Sequence, residues 1–215
     1  MRVVKEADER RNEILDAAEE LFVSNGYDKT SVQQIIDKIG IAKGTFYYYF
    51  RSKEELLNGI VERYNKLLLN RAIKIAEEKG LSCEMRFYGI IKAMQIAGEV
   101  NPAIMEQIHT PQNVLLHQKM TAGVITGLTP LLTDIVNEGI KKGIFKTDFP
   151  KESVEMLLVY GVTMLDGDFV ELTQEERMQK VVALVSIGET LLGFKKGGFM
   201  EFLAENSEKG NTYFG

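Results

Sequence analysis

The sequence of 215 residues contains one cysteine, two histidines, four prolines and no tryptophan. The single cysteine, Cys83, excludes a disulfide within the chain and is typical of a reducing compartment. No apolar run approaches the roughly 18–20 residues that a membrane span requires. The opening segment MRVVKEADERR lacks the apolar stretch of a secretory signal peptide. These absences predict a cytoplasmic protein with no membrane partner.

The shortage of cysteine and histidine also weakens the case for an enzyme. His109 and His117 stand on either side of a Thr-Pro pair, and the chain contains no HExxH or CxxC motif. The acidic residues Asp166, Asp168 and Glu171 lack the spacing of a calcium-binding loop. We therefore expect no metal, no cofactor and no catalytic residue, and a helical enzyme is the less favoured alternative.

The residues that are abundant favour helices. Hydrophobic residues make up 45% of the chain and charged residues 27%, which is ordinary for a protein that buries a full core. Apolar residues recur with a period of about 3.6 residues in almost every segment, and no convincing strand appears. The sequence therefore predicts an all-α fold, with a small N-terminal three-helix domain joined to a larger helical domain.

Three helices are predicted before residue 50. The first ends at the Asn25-Gly26 pair. The second opens with a capping box formed by Thr30 and Gln33 and stops at Gly40. The third covers about 42–49. A capped short helix, a glycine turn and a second short helix are the arrangement of a helix-turn-helix motif.

A long helix is predicted from Ser52, which is capped with Glu55, to Gly80. The change from short to long helices at this point places a domain boundary here, giving domains 1–53 and 54–215. Further helices are predicted at 82–99, after Asn101-Pro102, from Pro111 through Pro130 to Gly143, from Pro150, and from Thr173, followed by a polar tail from Glu205.

The formal net charge of -5 at first argues against a nucleic-acid partner. A global charge can hide a local field, however. Between Thr30 and Lys53 the chain has four basic residues and one acidic residue, Asp37. The sequence thus predicts a small basic patch on an acidic protein.

The segment KGTFYYYFRSK, residues 43–53, places five aromatic rings in one short helix. The N-terminal residues of the second helix of a helix-turn-helix reach base edges in the major groove, and Lys43, Gly44 and Thr45 suit that task. Phe46 and Phe50 have no polar atoms and are the better core candidates. The tyrosine hydroxyls can donate to phosphate oxygens. A core role for all the rings is the alternative.

Residues 26–56, GYDKTSVQQIIDKIGIAKGTFYYYFRSKEEL, resemble the DNA-binding region of the TetR family of bacterial transcriptional regulators. The shared pattern is G-Y/F after the first helix, a T/S-capped second helix, G-V/I-x-K-G-T/S-x-Y-x-x-F and then S-K-E-x-L. The resemblance covers about fifty residues when the first helix is included. Beyond Leu56 it is architectural only.

The resemblance implies a homodimer that binds a palindromic operator in double-stranded DNA and is a repressor released by a small-molecule effector. Histidine is common in the family where this chain has Tyr49, so that contact departs from the pattern. Arg10 and Arg11 either reach flanking phosphates or are simply solvated. The implied DNA contacts are Thr30 and Ser31 at the second helix, Lys43, Gly44 and Thr45 at bases, Tyr47 at the groove, and Tyr48, Tyr49 and Lys53 at the backbone.

The resemblance also implies that the larger domain binds the effector and forms the dimer through its last two long helices. An ordinary intramolecular core is the alternative for both sets of residues, and a helical partner protein that has lost DNA binding is the alternative for the whole chain. The candidate effector residues are Arg86, Tyr88, Met94, Met105, His109, His117, Met120, Tyr160 and Met164. The candidate interface residues are Val154, Leu157, Leu158, Gly161, Leu165, Val181, Val185, Gly188 and Leu192.

Overall fold

The computed structural model describes residues 7–94, 104, 106, 108–110, 113–165 and 172–199. Within these residues the chain forms helices and no strand, which confirms the all-α prediction. The tail from Glu205, the Asn101-Pro102 helix start and the Asp166, Asp168 and Glu171 cluster lie outside the described residues. The helices are α1 (Ala7–Asn25), α2 (Val32–Ile39), α3 (Lys43–Tyr49), α4 (Lys53–Glu77), α5 (Cys83–Ala93), α6 (Val114–Lys141), α7 (Pro150–Met164) and α8 (Gln174–Leu191).

The chain divides into two compact units. The first comprises Met1–Leu67 and Ile96–Met120, and the second comprises Leu68–Gln95 and Thr121–Gly215. The domain boundary predicted between residues 53 and 54 separates two functions, whereas these units are defined by their compactness. That boundary stays a prediction. No helix in the described part of the chain is both long and apolar enough to cross a membrane.

Three helices of the first unit enclose a small core. The apolar side chains of α1 that face it are fully covered, among them Ile14 and Leu15 at 0% exposure. Gly26, with φ at +85°, ends α1 in the left-handed conformation that favours glycine. Gly40, with φ at +71°, does the same for α2.

The start of α2 corrects one prediction. The cap of α2 is Ser31, not Thr30, and the reciprocal partner in the capping box is Gln34, not Gln33. The predicted register is wrong by one residue because the hydroxyl of Thr30 already donates to the carbonyl oxygens of Gly26, at 2.8 Å, and Leu21, at 3.1 Å. Those bonds bury Thr30 to 2% exposure and leave the capping position to its neighbour.

The second unit contains two well-formed helix ends. α6 runs through Pro130 and ends in a Schellman motif, in which Gly143 N–H donates to Ile140 and Ile144 N–H donates to Gly139. α8 begins with the predicted capping box of Thr173 and Glu176. α7 and α8 pack against each other in this unit.

Candidate nucleic-acid interface

The short helix α3 has one buried side and one exposed side. Phe46 and Phe50 are 0% and 1% exposed, which confirms the prediction that these two rings belong to the core. Tyr48 is 79% exposed and Tyr47 is 45% exposed, whereas Tyr49 is half-buried. The side chains that remain in solvent are therefore those with a hydroxyl group that can donate to an external acceptor.

The N-terminal turn of α3 is open. Lys43 and Gly44 are exposed and Thr45 is half-buried. A Cβ atom placed on Gly44 would meet nothing within 4 Å. The ammonium of Lys43 lies 5.9 Å from the centre of the Tyr47 ring, so the cation and the ring occupy neighbouring positions on the exposed side. This turn can approach the edge of a flat, polar partner without displacing any part of the protein.

The exposed rings are held in fixed relative orientations. Tyr48 and Tyr49 meet edge to face with their centroids 4.9 Å apart, and Tyr47 meets the buried Phe46 in the same way at 5.3 Å. Each exposed tyrosine is thus supported by a second ring.

Two predicted contact residues have hydroxyl or amino groups that are used within the protein. Thr30 is buried, as described above. Lys53, the first residue of α4, donates from Nζ to the carbonyl oxygens of Tyr27, at 2.7 Å, and Asp28, at 3.4 Å. Its ammonium also lies 4.1 Å from the centre of the Tyr27 ring. Ser31 is exposed, with its hydroxyl in the capping box.

The two arginines of α1 also have internal partners. Arg10 pairs with Glu13, and Arg11 lies over the Phe50 ring with its guanidinium carbon 5.2 Å from the ring centre. A second cluster, in which Arg63 of α4 pairs with Asp16 and Glu19 of α1, was missed by the sequence reasoning. Nothing in the sequence marks partners that are more than forty residues apart.

One of the candidate effector residues borders a cleft of the second unit. Arg86 borders a cleft of about 630 Å³ in the second unit, together with Lys79, Glu138 and Lys142. The other candidate effector residues do not border this cleft. Met105 lies outside the described side chains. The remaining candidates are half-buried, namely Tyr88, Met94, His109, His117, Met120, Tyr160 and Met164.

Most of the candidate interface residues are used inside the chain. Val154, Leu158 and Leu192 are at most 4% exposed. A Cβ atom on Gly188 would lie 3.3 Å from Leu157, and one on Gly161 would lie 3.7 Å from Leu184, so both glycines lie where α7 packs on α8. Leu165, Val181 and Val185 are half-buried. Packing within the chain therefore covers these residues, and their place in a dimer interface stays a prediction.

The apolar side chains that α7 and α8 leave in solvent are different ones. They are not among the candidate interface residues, because both helices are apolar on more than one side. These exposed residues, which we call the apolar patch, are Met156, Val159, Met178, Val182 and Ile187, with exposures of 45–61%.

Comparison with known proteins decides the family. A sequence profile described as bacterial regulatory proteins of the tetR family matches residues 14–60, which include the whole of α2 and α3. A second profile, described as the C-terminal domain of tetracyclin repressor-like proteins, matches residues 96–187. The fatty acid metabolism regulator protein of Bacillus subtilis strain 168 is 33% identical over 136 residues, covering 62% of this chain and 70% of that protein. The chain belongs to the TetR family.

Other relatives agree with this assignment. The transcriptional repressor KstR2 of Mycobacterium tuberculosis is 27% identical over 156 residues, covering 71% of this chain and 78% of the relative. A TetR-family regulator from Pectobacterium atrosepticum has the same fold, with a TM-score of 0.64, 19% identity and coverage of 89% of this chain and 98% of that one. Bacillus subtilis FadR in complex with stearoyl-CoA gives a TM-score of 0.57 at 26% identity, covering 84% and 97%.

The family membership and the exposed side of α3 indicate the same function. This TetR-family protein is a DNA-binding regulator of transcription, and α3 is the second helix of its helix-turn-helix. The relatives that establish the family are themselves regulators of transcription.

Proposed function

We propose that this protein is a homodimeric repressor that binds a palindromic operator through α3 and leaves it when a small-molecule effector binds. The observation that carries the proposal is the division of α3 into a buried phenylalanine side and an exposed side. On the exposed side, Lys43, Gly44, Tyr47 and Tyr48 can meet DNA. The similarity to KstR2, a repressor, supports repression rather than activation.

The contacts follow from the chemistry of each exposed group. Lys43 and Thr45 offer donors and a methyl group to base edges, and the missing side chain of Gly44 allows the backbone to approach closely. Tyr47, Tyr48 and Tyr49 donate to phosphate oxygens or to the groove wall. Ser31, at the N-terminus of α2, and Lys53, at the N-terminus of α4, are the other proposed phosphate contacts. The burial of Thr30 removes it from this set.

Long-chain acyl-CoA is the effector class that the relatives favour. The B. subtilis fatty acid metabolism regulator is 33% identical to this chain, and the FadR structure contains stearoyl-CoA. A ligand that binds better to one conformation of a regulator weakens or strengthens DNA binding by its preference for that conformation. We assign a regulatory rather than a catalytic role because the relatives regulate transcription.

Gly44→Ala is the sharpest test of the α3 assignment. The change should not destabilise the protein, because the position is open and alanine is the better helix former by roughly 1 kcal/mol. It places a methyl group at the turn that meets the bases, so operator affinity should fall about tenfold or more. Operator fragments are first selected from genomic DNA with the wild-type protein, and the affinity of both proteins for them is then measured.

Three results would contradict the proposal. Wild-type protein that selects no DNA fragment would favour the alternative of a partner protein without DNA binding. A Gly44→Ala variant with wild-type affinity would remove α3 from the interface. A reporter gene behind the selected operator that is expressed more strongly with the protein than without it would replace repression by activation. Stearoyl-CoA, added to the complex, tests the effector class separately.

A further inference from the structure

One face of α4 lies against α1. A Cβ atom placed on Gly59 would lie 3.0 Å from Cδ2 of Leu15, so the missing side chain allows the two helices to approach closely at this point. Arg63 follows four residues later, on the same face of α4. Between them, the carboxylate of Glu62 lies 3.8 Å from the guanidinium of Arg11. The two helices are thus held together by close packing and by opposite charges.

Arg63 joins α4 to two carboxylates of α1. Its Nη1 donates to Asp16 and its Nη2 donates to Glu19, while the hydroxyl of Tyr64 donates to the other oxygen of Glu19. The planar fork of an arginine holds two acceptors in fixed directions, which the single ammonium of a lysine does not. The Glu19 side chain is only 18% exposed, so solvent screens this pair less than a pair on the open surface. The cluster therefore fixes the position of α1 on α4.

The position of α1 on α4 also determines where α3 lies. α1 packs on α2 and α2 packs on α3. Phe50, directly after α3, lies 3.2 Å from the place where a Cβ atom on Gly59 would be. α4 itself is one helix that belongs to both compact units, with residues 53–67 in the first and residues 68–77 in the second. The α1–α4 contact therefore places α3 relative to a helix that continues into the second unit.

We infer that Arg63 is a positioning residue that fixes α3 relative to α4, and thereby sets the spacing between the two copies of α3 in the dimer. The inference rests on the proposed function, because this spacing matters only to a protein that binds two half-sites. In bivalent binding the second half-site contributes through an effective concentration, which falls when the spacing is less well defined.

Full and half operators separate this role from a general loss of structure. Arg63→Met should weaken binding to a selected palindromic operator about three- to tenfold, because the second half-site is then met less often. Binding to the same fragment with one half-site scrambled should change by less than about twofold. One base pair inserted between the half-sites should cost the variant less affinity than it costs the wild-type protein. Equal losses on the full and half operators would overturn the inference.

Lys66→Met is the matched control. It removes an exposed cation of α4 that has no ion pair within the described part of the chain, so it should bind every fragment as the wild-type protein does. In an Asp16→Asn, Glu19→Gln background the partners of Arg63 are neutral. Arg63→Met should then weaken binding to the full operator by less than about twofold. An undiminished effect in that background would contradict the inference.

A distance measured without DNA separates a failure of this inference from a failure of the proposed function. Spin labels are attached at Tyr48→Cys in α3 and Lys74→Cys in α4, both of which are exposed positions, and the labelled chain is diluted with unlabelled protein. Cys83 is fully buried and should stay unlabelled. The distance distribution should be broader in Arg63→Met than in the wild-type protein and Lys66→Met. If the wild-type protein selects no DNA, the proposed function fails, whereas equal widths in all three proteins would overturn the inference about Arg63.

Discussion

The carboxylate of Glu138 shows how a single residue can make stability depend on pH. It accepts hydrogen bonds from Arg86 at 2.7 Å and from Lys142 at 2.6 Å. Arg86, and after it Lys142, lower the pKa of this carboxyl from an ordinary 4.5 to about 2. A lowered pKa in the folded state stabilises the fold above the pKa of the unfolded state, and the stabilisation is lost as the pH falls towards 2.

Glu138→Gln should therefore lower the melting temperature at pH 7 by about 2–4 °C, the effect of a partly exposed ion pair in a protein of this size. The difference in melting temperature from the wild-type protein should shrink as the pH falls from 5 to 2, because the wild-type carboxylate becomes protonated over this range. Thermal unfolding across this pH range measures both effects.

Glu152→Gln is the matched control for this prediction. It removes an exposed carboxylate of α7 that has no ion pair within the described part of the chain. It should leave the melting temperature unchanged at both ends of the pH range. If the difference in melting temperature between Glu138→Gln and the wild-type protein stayed constant down to pH 2, the carboxylate charge would not be the cause of that difference.

Thr30 and Ser31 show what sequence can and cannot predict for single residues. Both carry a hydroxyl next to the start of α2, and both Gln33 and Gln34 follow at the spacing of a capping box. The choice between them depends on the turn before α2, which brings the carbonyl oxygens of Leu21 and Gly26 to the Thr30 hydroxyl. Sequence spacing contains no information about that turn, so the helix was predictable and its exact cap was not.

At the scale of elements, the short helices were predictable because their signals are local. Gly26 and Gly40 adopt the positive φ values that end α1 and α2, and the period of the apolar residues separates Phe46 and Phe50 from the tyrosines. The contacts between elements were not predictable. Lys53 and Tyr27, or Arg63 and Glu19, are distant in the sequence, and only the packing of α4 on α1 brings them together.

The end of α6 gives a prediction at the same scale. A Cβ atom on Gly139 would lie 2.2 Å from Cδ2 of Phe145, whose ring also packs against Phe87 and Phe194. Gly139→Ala should lower the free energy of unfolding by up to about 2 kcal/mol, because the overlap costs about 1–3 kcal/mol and the gain in helix propensity offsets only about 1 kcal/mol of it. Urea unfolding measures the change.

Gly161→Ala is the control for that prediction. The nearest atom to its added methyl group is Cδ2 of Leu184, at 3.7 Å, which is an ordinary contact. This variant should be as stable as the wild-type protein or more stable by up to about 1 kcal/mol. Replacing Phe145 by Leu in the Gly139→Ala protein should restore part of the lost stability. A fully stable Gly139→Ala protein would mean that the Phe145 ring moves away at no cost.

At the scale of the whole molecule, the net charge of -5 is distributed to suit a DNA-binding protein. The segment from Thr30 to Lys53 is basic and the rest of the chain is acidic. A local positive field favours the approach of DNA. In the proposed homodimer, two copies of α3 would have to lie about 34–36 Å apart to meet successive major grooves, so dimerisation would be part of operator recognition.

The apolar patch on α7 and α8 is the surface that we expect to form this dimer. Met156 and Val159 are 60% and 45% exposed and lie three residues apart on α7. Replacing both with lysine should leave each chain folded, because neither side chain fills the core. It should convert the dimer to a monomer through the cost of burying charge. Sedimentation measures the mass of the species in solution.

The same double variant should bind the operator more weakly, with about half the wild-type salt slope, because one copy of α3 then contacts a single half-site. Leu115→Lys is the matched control, since Leu115 is 74% exposed on α6 and belongs to the first compact unit. It should remain dimeric and keep the wild-type slope. If the double variant stayed dimeric, the dimer interface would not include the α7 part of the apolar patch. If it were a monomer with an unchanged salt slope, operator binding would not depend on dimerisation.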